Sequence, residues 1–569
     1  MNDLSYVDSS SRKLYEYSPL PSERHIRLLN IHPPSESSTK ETSPLHTDID
    51  PIQVSVKILC MDDQPQYDAL SYTWKNPISV YQDENEAKES VKLFQETREI
   101  ICDDQRMEVT VNLHDALLAI RAIPAEDSYE KCGGNRRAEH IWIDAICINQ
   151  NDVYERNAQV MNMGQIYSRA QMTIIWLGRS DSFVRKASTV LASLGNLSVD
   201  RASLMKDTTR ILRVRNYEAF GMPKIDDLQW LALYAFLNRN WFKRLWVVQE
   251  VALAPRAVAL CGLLMISWSG ISVCCEILER SKWYLDIAAM AHNYMEGTSI
   301  TEVGTIHDRK LKQKYLHQIE RHDRFNPVRA VLGISNTRAG LGIQDTVLKV
   351  SPHSSQLNMQ SLLDIFRDSS STDPRDKVYG LLGLLETNIQ APSAVQKIKP
   401  NYELPVETVY LEAALFQMKT TNDLTFLGNV QDTSETFYKS LPSWVPDYSV
   451  ACHLNSLSTT RVKDESKNFY GPFLFSATDG LEFTYRLLRE PSPALSLQGC
   501  LYDTIADVGD FDFNYDLYNI LDLLAEIPHL YNNDILACAD KITAEHPEDK
   551  FELDFKQGNL VAVGDIRGR

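Results

Sequence analysis

The sequence predicts an α/β domain with a mainly parallel central sheet, followed by a mostly helical region. Three observations carry this. Between Gln53 and Leu177, apolar runs of strand length alternate with stretches of helical period. Residues 141–178 read as strand, polar loop, helix and strand, the order of a parallel crossover unit. From about 270 to 450 the pattern is mostly helical.

The elements follow in order. Ile26-Arg27-Leu28-Leu29 is a short strand, and the Ser/Pro/Thr-rich stretch from His32 to Pro51 offers nothing to bury and reads as a flexible loop. Strands are expected at 53–60, 67–73, 100–110 (a hairpin turning at Asp103-Asp104), 141–148 and 172–177. Helices are expected from Asn112 to about Ile123 and from Asp152 to Ala170. A helix-rich segment then covers 183–254, with one continuous helix over 238–254, before strands at 257–262 and 264–268. Further on, Thr372-Asp373-Pro374 reads as a helix start, and Pro405-Val406-Glu407 opens another. The expected domains are an N-terminal strand and flexible segment (1–52), an α/β domain (53–268) with a helical insertion at about 183–237, a helical region (269–450), and a C-terminal region of unassigned fold (451–569).

Composition narrows the function classes. The net charge of −18 and pI near 5.3 argue against nucleic acid, which is bound by neutralising phosphates, and against an anionic membrane surface. Ten cysteines include no CxxC pair, and Cys274 and Cys275 are adjacent, which suits neither zinc nor a redox motif. The first residues lack an apolar signal-type stretch and nowhere do 18 apolar residues run together, so a cytosolic or nuclear location is expected, the cytoplasm first. Phosphate-loop, dinucleotide, HExxH and GxSxG signatures are absent. His317 and His322, five apart, would diverge by about 140° on a helix and read as surface residues. No metal and no cofactor is expected.

Three blocks concentrate polar residues within apolar surroundings. In IWIDAICINQND, Asp144 falls inside the expected strand, with Cys147, Asn149, Gln150 and Asp152 at its carboxyl end, where open parallel sheets bind ligands. Turn formation and helix capping account for Asn149 and Asp152, but not for Asp144. On the helix that follows, Arg156 projects among Val153, Val160, Met163, Tyr167 and Ala170, in a first turn whose dipole disfavours a cation. It therefore calls for a carboxylate partner, Asp144 being the nearest. In NRNWFKRLWVVQEVALA, Gln249 is expected to be buried and hydrogen-bonded. Glu250, beside Trp246 and Lys243, is expected either to pair with Lys243 or to carry a raised pKa suited to acid–base work. In YDALSYTW, Ser71 and Tyr72 alternate sides of a strand, and Trp74 either packs at its end or stacks on a planar ligand. Glu250, residues 149–152 and Trp74 are expected to share one concave surface.

These blocks, in this order, resemble the fungal heterokaryon incompatibility (HET) domain: YDALSYTW its first block, WIDAICINQNDVYERNAQVMNMGQIYSRAQMTIIWLG its second and RNWFKRLWVVQE its third. STDPRDKVYGLLGL and LPSWVPDYS resemble segments that often follow it. The family usually continues with Gly after the Trp of the first block, where this chain has Lys75-Asn76. The resemblance implies a TIR-like, mainly parallel sheet flanked by helices and a role in non-self recognition leading to growth arrest or cell death. Two readings of the chemistry follow. In one, the protein signals by assembly, through protein partners and self-association, and the polar cluster is structural. In the other, it is a TIR-like NAD hydrolase: Glu250 or Asp144 is catalytic, and Ser71, Trp74, Asn149, Gln150 and Arg156 bind the nucleotide.

Overall fold

The computed structural model describes residues 12–34, 51–79, 84–123, 136–195, 223–281, 325–343, 358–386, 398–421, 424–431 and 434–450, helical pieces between 283 and 291, and four short strands between 461 and 497. Nine strands form one sheet: β1 (His25–Ile31), β2 (Gln53–Cys60), β3 (Tyr67–Tyr72), β4 (Thr97–Cys102), β5 (Gln105–Thr110), β6 (His140–Trp142), β7 (Thr173–Trp176), β8 (Ala257–Cys261) and β9 (Leu264–Ser267). Their order is β5-β4-β2-β1-β6-β3-β7-β8-β9. The central four, β6-β3-β7-β8, are all parallel, and antiparallel pairs occur on both flanks. This is the α/β architecture the sequence predicts, and the strands expected at 141–148 and 172–177 lie in one sheet. They are not neighbours, because β3 runs between them.

The hairpin at Asp103-Asp104 is present, with both residues at positive φ, 48° and 61°. Around the sheet lie α1 (Glu84–Leu93), α2 (Val111–Ala122), α3 (Asp144–Cys147), α4 (Val153–Arg169) and α5 (Ser182–Gly195). Thr110 caps α2 by accepting from Leu113 N, and Asp152 caps α4 by accepting from Tyr154 N and Glu155 N. Each strand feeds two cores by its two-residue alternation. Ile174, Trp176, Val258 and Leu260 face a core with α2 and α4. Ile175, Leu177, Ala257 and Ala259 face a second core, which continues through the helices Asp227–Leu237, Val247–Ala252, Pro327–Gly340 and Val406–Thr421.

Three local expectations change. The strand expected over 141–148 ends at Trp142, and Asp144 opens the short α3 instead of lying within a strand. The continuous helix expected over 238–254 is two helices, Asn240–Lys243 and Val247–Ala252, because Arg244 is extended (φ −74°, ψ 135°). The helix start read at Thr372-Asp373-Pro374 is a turn leading into Asp376–Tyr379. At Lys75-Asn76, where the family usually has Gly, neither residue takes a positive φ, and Asn76 turns the chain by accepting Ile78 N at 2.9 Å through its side chain. The helix opened by Pro405 is present as Val406–Thr421. Most of the Ser/Pro/Thr-rich stretch, His317, His322 and most of 451–569 lie outside the described residues. Among those described, no helix is long and apolar enough to cross a membrane.

Candidate functional site: an acid network at the carboxyl edge of the sheet

Strand β3 delivers Ser71 and Tyr72 to the end of the parallel strands, both buried. Ser71 Oγ donates to Glu250 Oε2 and accepts from Trp241 Nε1 at 2.8 Å. Arg244, freed from helical geometry by the break at its own position, donates to the Tyr72 carbonyl and places Nη2 3.7 Å from Glu250 Oε1. Glu250 is 2% exposed. Burial pushes its carboxyl up to about 7 against the opposing pull of Arg244 and Ser71, with Asp144 adding to the rise.

Next to this group, Trp74 ends the strand with 40% of its surface exposed, and its Nε1 donates to Asp144 Oδ2 at 2.8 Å. Asp144 Oδ1 accepts Ala145 N at 2.7 Å, and the Asp144 carbonyl accepts Gln150 Nε2 at 3.1 Å. Burial raises the Asp144 carboxyl, again opposed by Arg244. Ser71, Glu250, Arg244, Asp144, Trp74 and Gln150 thus form one network of hydrogen bonds and charge. Its acid pair is part covered, part open: Glu250 is enclosed, while Asp144 and Trp74 reach solvent.

Asn149 and Arg156 belong elsewhere. Asn149 N donates to Glu155 Oε1 at 2.7 Å, and its side chain closes a turn with Asn151 N. Arg156 forms no ion pair among the described residues; its guanidinium lies over the Tyr402 ring, 5.1 Å from the centroid. The expected partnership with Asp144 is therefore absent. The helix phase was off by one residue, and Glu155 turns toward the sheet. Its partner is Arg27 of β1, 1% exposed, held at 2.5 and 3.0 Å and also bonded to the carbonyls of Cys147 and Ser18. The charge inside IRLLNI was the sequence signal for this pair. Glu250 likewise pairs with Arg244 and not with Lys243, since a wheel drawn through an unbroken helix misplaces both. Gln249 is buried at 1% exposure, yet its Nε2 has no partner among the described residues. Sequence reasoning missed Arg244, Trp241, Arg27 and Glu155 as members of these networks.

The fold and its edge define a class: an α/β domain whose parallel strands end on a buried acid–arginine network, continuous through one core with a helical region. Residues 67–250 match the family model described as Heterokaryon incompatibility protein (HET), and the chain carries a HET domain over this span. The chain is 27% identical over 279 residues to the heterokaryon incompatibility protein 6, OR allele, of Neurospora crassa. That match covers 45% of this chain and 36% of the relative, so the chain spans about a third of the curated relative's length. No solved structure matches it significantly.

Proposed function

We propose that this is a fungal heterokaryon incompatibility protein that acts inside the cell in non-self recognition. The HET domain is its effector, working through protein partners and self-association in the cytoplasm to arrest growth or kill the cell, and the helical region regulates it. One observation supports this reading above the others: the three sequence blocks of the HET match converge on a single network, Ser71–Glu250–Arg244 with Asp144–Trp74 beside it.

A second reading is favoured by Glu250, a carboxyl with a pKa near 7 beside a partly exposed indole. In a TIR-like hydrolase, Trp74 would stack on a ring of NAD and a carboxylate would stabilise the oxocarbenium as the glycosidic bond breaks. Water would then take the place of nicotinamide, giving ADP-ribose, nicotinamide and a proton. Expressing the chain and its Glu250→Gln variant in a fungal host, with nicotinamide release followed on the purified proteins, separates the two. Signalling by assembly expects growth arrest from the native chain with no nicotinamide release from either chain. Hydrolysis expects release from the native chain and loss of both release and arrest in the variant. A native chain that leaves growth unaffected would overturn the proposal.

A further inference from the structure

The helical region touches the acid network through one polar strip. Residues 244–246 link the helices Asn240–Lys243 and Val247–Ala252, and Ser370 pairs with this linker as a one-residue parallel bridge. Leu245 N donates to Ser370 O at 2.9 Å, and Ser370 N donates to Lys243 O at 2.5 Å. Farther along, Trp246 Nε1 donates to Asp376 Oδ2 at 3.0 Å, and the other Asp376 oxygen accepts the Tyr402 hydroxyl at 2.6 Å. Besides the packing of Leu245 in the large core, the linker is therefore held by backbone and side-chain bonds from 370–376. Arg244, in the middle of it, is the cation that faces both Glu250 and Asp144.

Residues 369–377, Ser-Ser-Ser-Thr-Asp-Pro-Arg-Asp-Lys, contain no apolar side chain but Pro374. The helices on either side are anchored in the large core through Leu362, Leu363, Val378 and Leu384, but this strip is held by hydrogen bonds and ion pairs. Ser369 and Asp376 are themselves buried, at 3% and 7% exposure, so the strip opens only by breaking these polar bonds, while the apolar anchors of its flanks keep their place.

We propose that residues 369–376 are a regulatory clamp on the acid network. Docked, the strip holds Arg244 against the Tyr72 carbonyl and Glu250, and the network stays closed. Released, it lets the 244–246 linker move, Arg244 leaves, and Glu250 opens toward the face that Trp74 and Asp144 already present. This regulation rests on reading the network as the functional site of the HET domain. In that scheme Arg244 is a positioning residue.

Hydrogen–deuterium exchange on the full-length chain tests the clamp independently of any activity. Ser370→Pro removes the donor to Lys243, and Asp376→Ala removes the acceptor of Trp246. In each folded variant, amides of 243–250 are expected to exchange about tenfold faster or more, together with those of 369–376, while β7 is unchanged. If 369–376 loosens and 243–250 does not, the clamp is overturned. Should Ser370→Pro fail to fold, Asp376→Ala carries the test. The regulatory half is read by expressing the same variants in the fungal host: altered growth arrest at equal protein level supports it, and arrest identical to the native chain overturns it. If no chain arrests growth while the exchange coupling holds, the HET-function reading fails and the physical clamp stands.

Discussion

Glu250 is held by groups from distant parts of the chain, Ser71 on β3 and Arg244 in the linker, and it feels Asp144 at the start of α3. Its folded pKa of about 7 lies above the ordinary 4.5, so the folded state binds a proton that the unfolded state releases. The stability this lends is fully present below pH 4.5 and is lost as the pH rises through 7. Glu250→Gln is therefore expected to match the native chain near pH 4.5 and to exceed it by about 1–3 kcal/mol at pH 8. Urea unfolding at the two pH values checks this, and an unchanged difference between them would assign the slope to other groups. Asp68, raised by burial to about 7, and Asp376, raised to about 6, act in the same direction and remain in both chains. At this scale the sequence singled out Glu250, Asp144, Ser71 and Trp74, which the structure places in one network. The partner of Glu250 was illegible because it depends on a helix break three residues wide.

Local chemistry was most legible where the chain decides its own geometry. Asp103 and Asp104 sit at positive φ in a two-residue hairpin turn, and Asp103 Oδ1 accepts Val56 N at 3.2 Å. Asp104→Gly keeps that bond and relieves the left-handed strain, so it is expected to raise stability by about 0.5–1 kcal/mol. Thermal unfolding of the variant measures it; a lower midpoint would mean that Asp104 makes a compensating contact. The segment 240–252 is the opposite case. Its apolar pattern runs most of the way round, so periodicity gave no sign of the extended Arg244, which is fixed by Ser370 from 126 positions away in the chain.

Across the whole molecule, α4 of the HET domain meets the helix Leu382–Glu386 at a glycine pair. A Cβ on Gly383 would come within 2.9 Å of the Gly164 Cα and 2.6 Å of Gln249 Oε1. Gly383→Ala is expected to cost about 1–3 kcal/mol, because backbone on one side leaves little room to yield. A shift in the urea midpoint reads this directly, and an unshifted midpoint would show that the seam relaxes freely. Arg156 over Tyr402 and Trp246 on Asp376 lie along the same seam, which gives Arg156 a role the helix wheel could not.

Most strand and helix periods, the Asp103-Asp104 turn, the Asp152 cap and the three HET blocks were determined by the sequence alone. Each depends on neighbours within a few residues, or on a linear pattern that survives without a fold. Tertiary structure alone decided that β3 runs between β6 and β7, that Arg27 meets Glu155 and that Arg244 meets Glu250. Strand order carries no local signature. A buried charge, likewise, takes whichever partner the packing of distant segments brings within reach, because leaving it unpaired costs several kcal/mol.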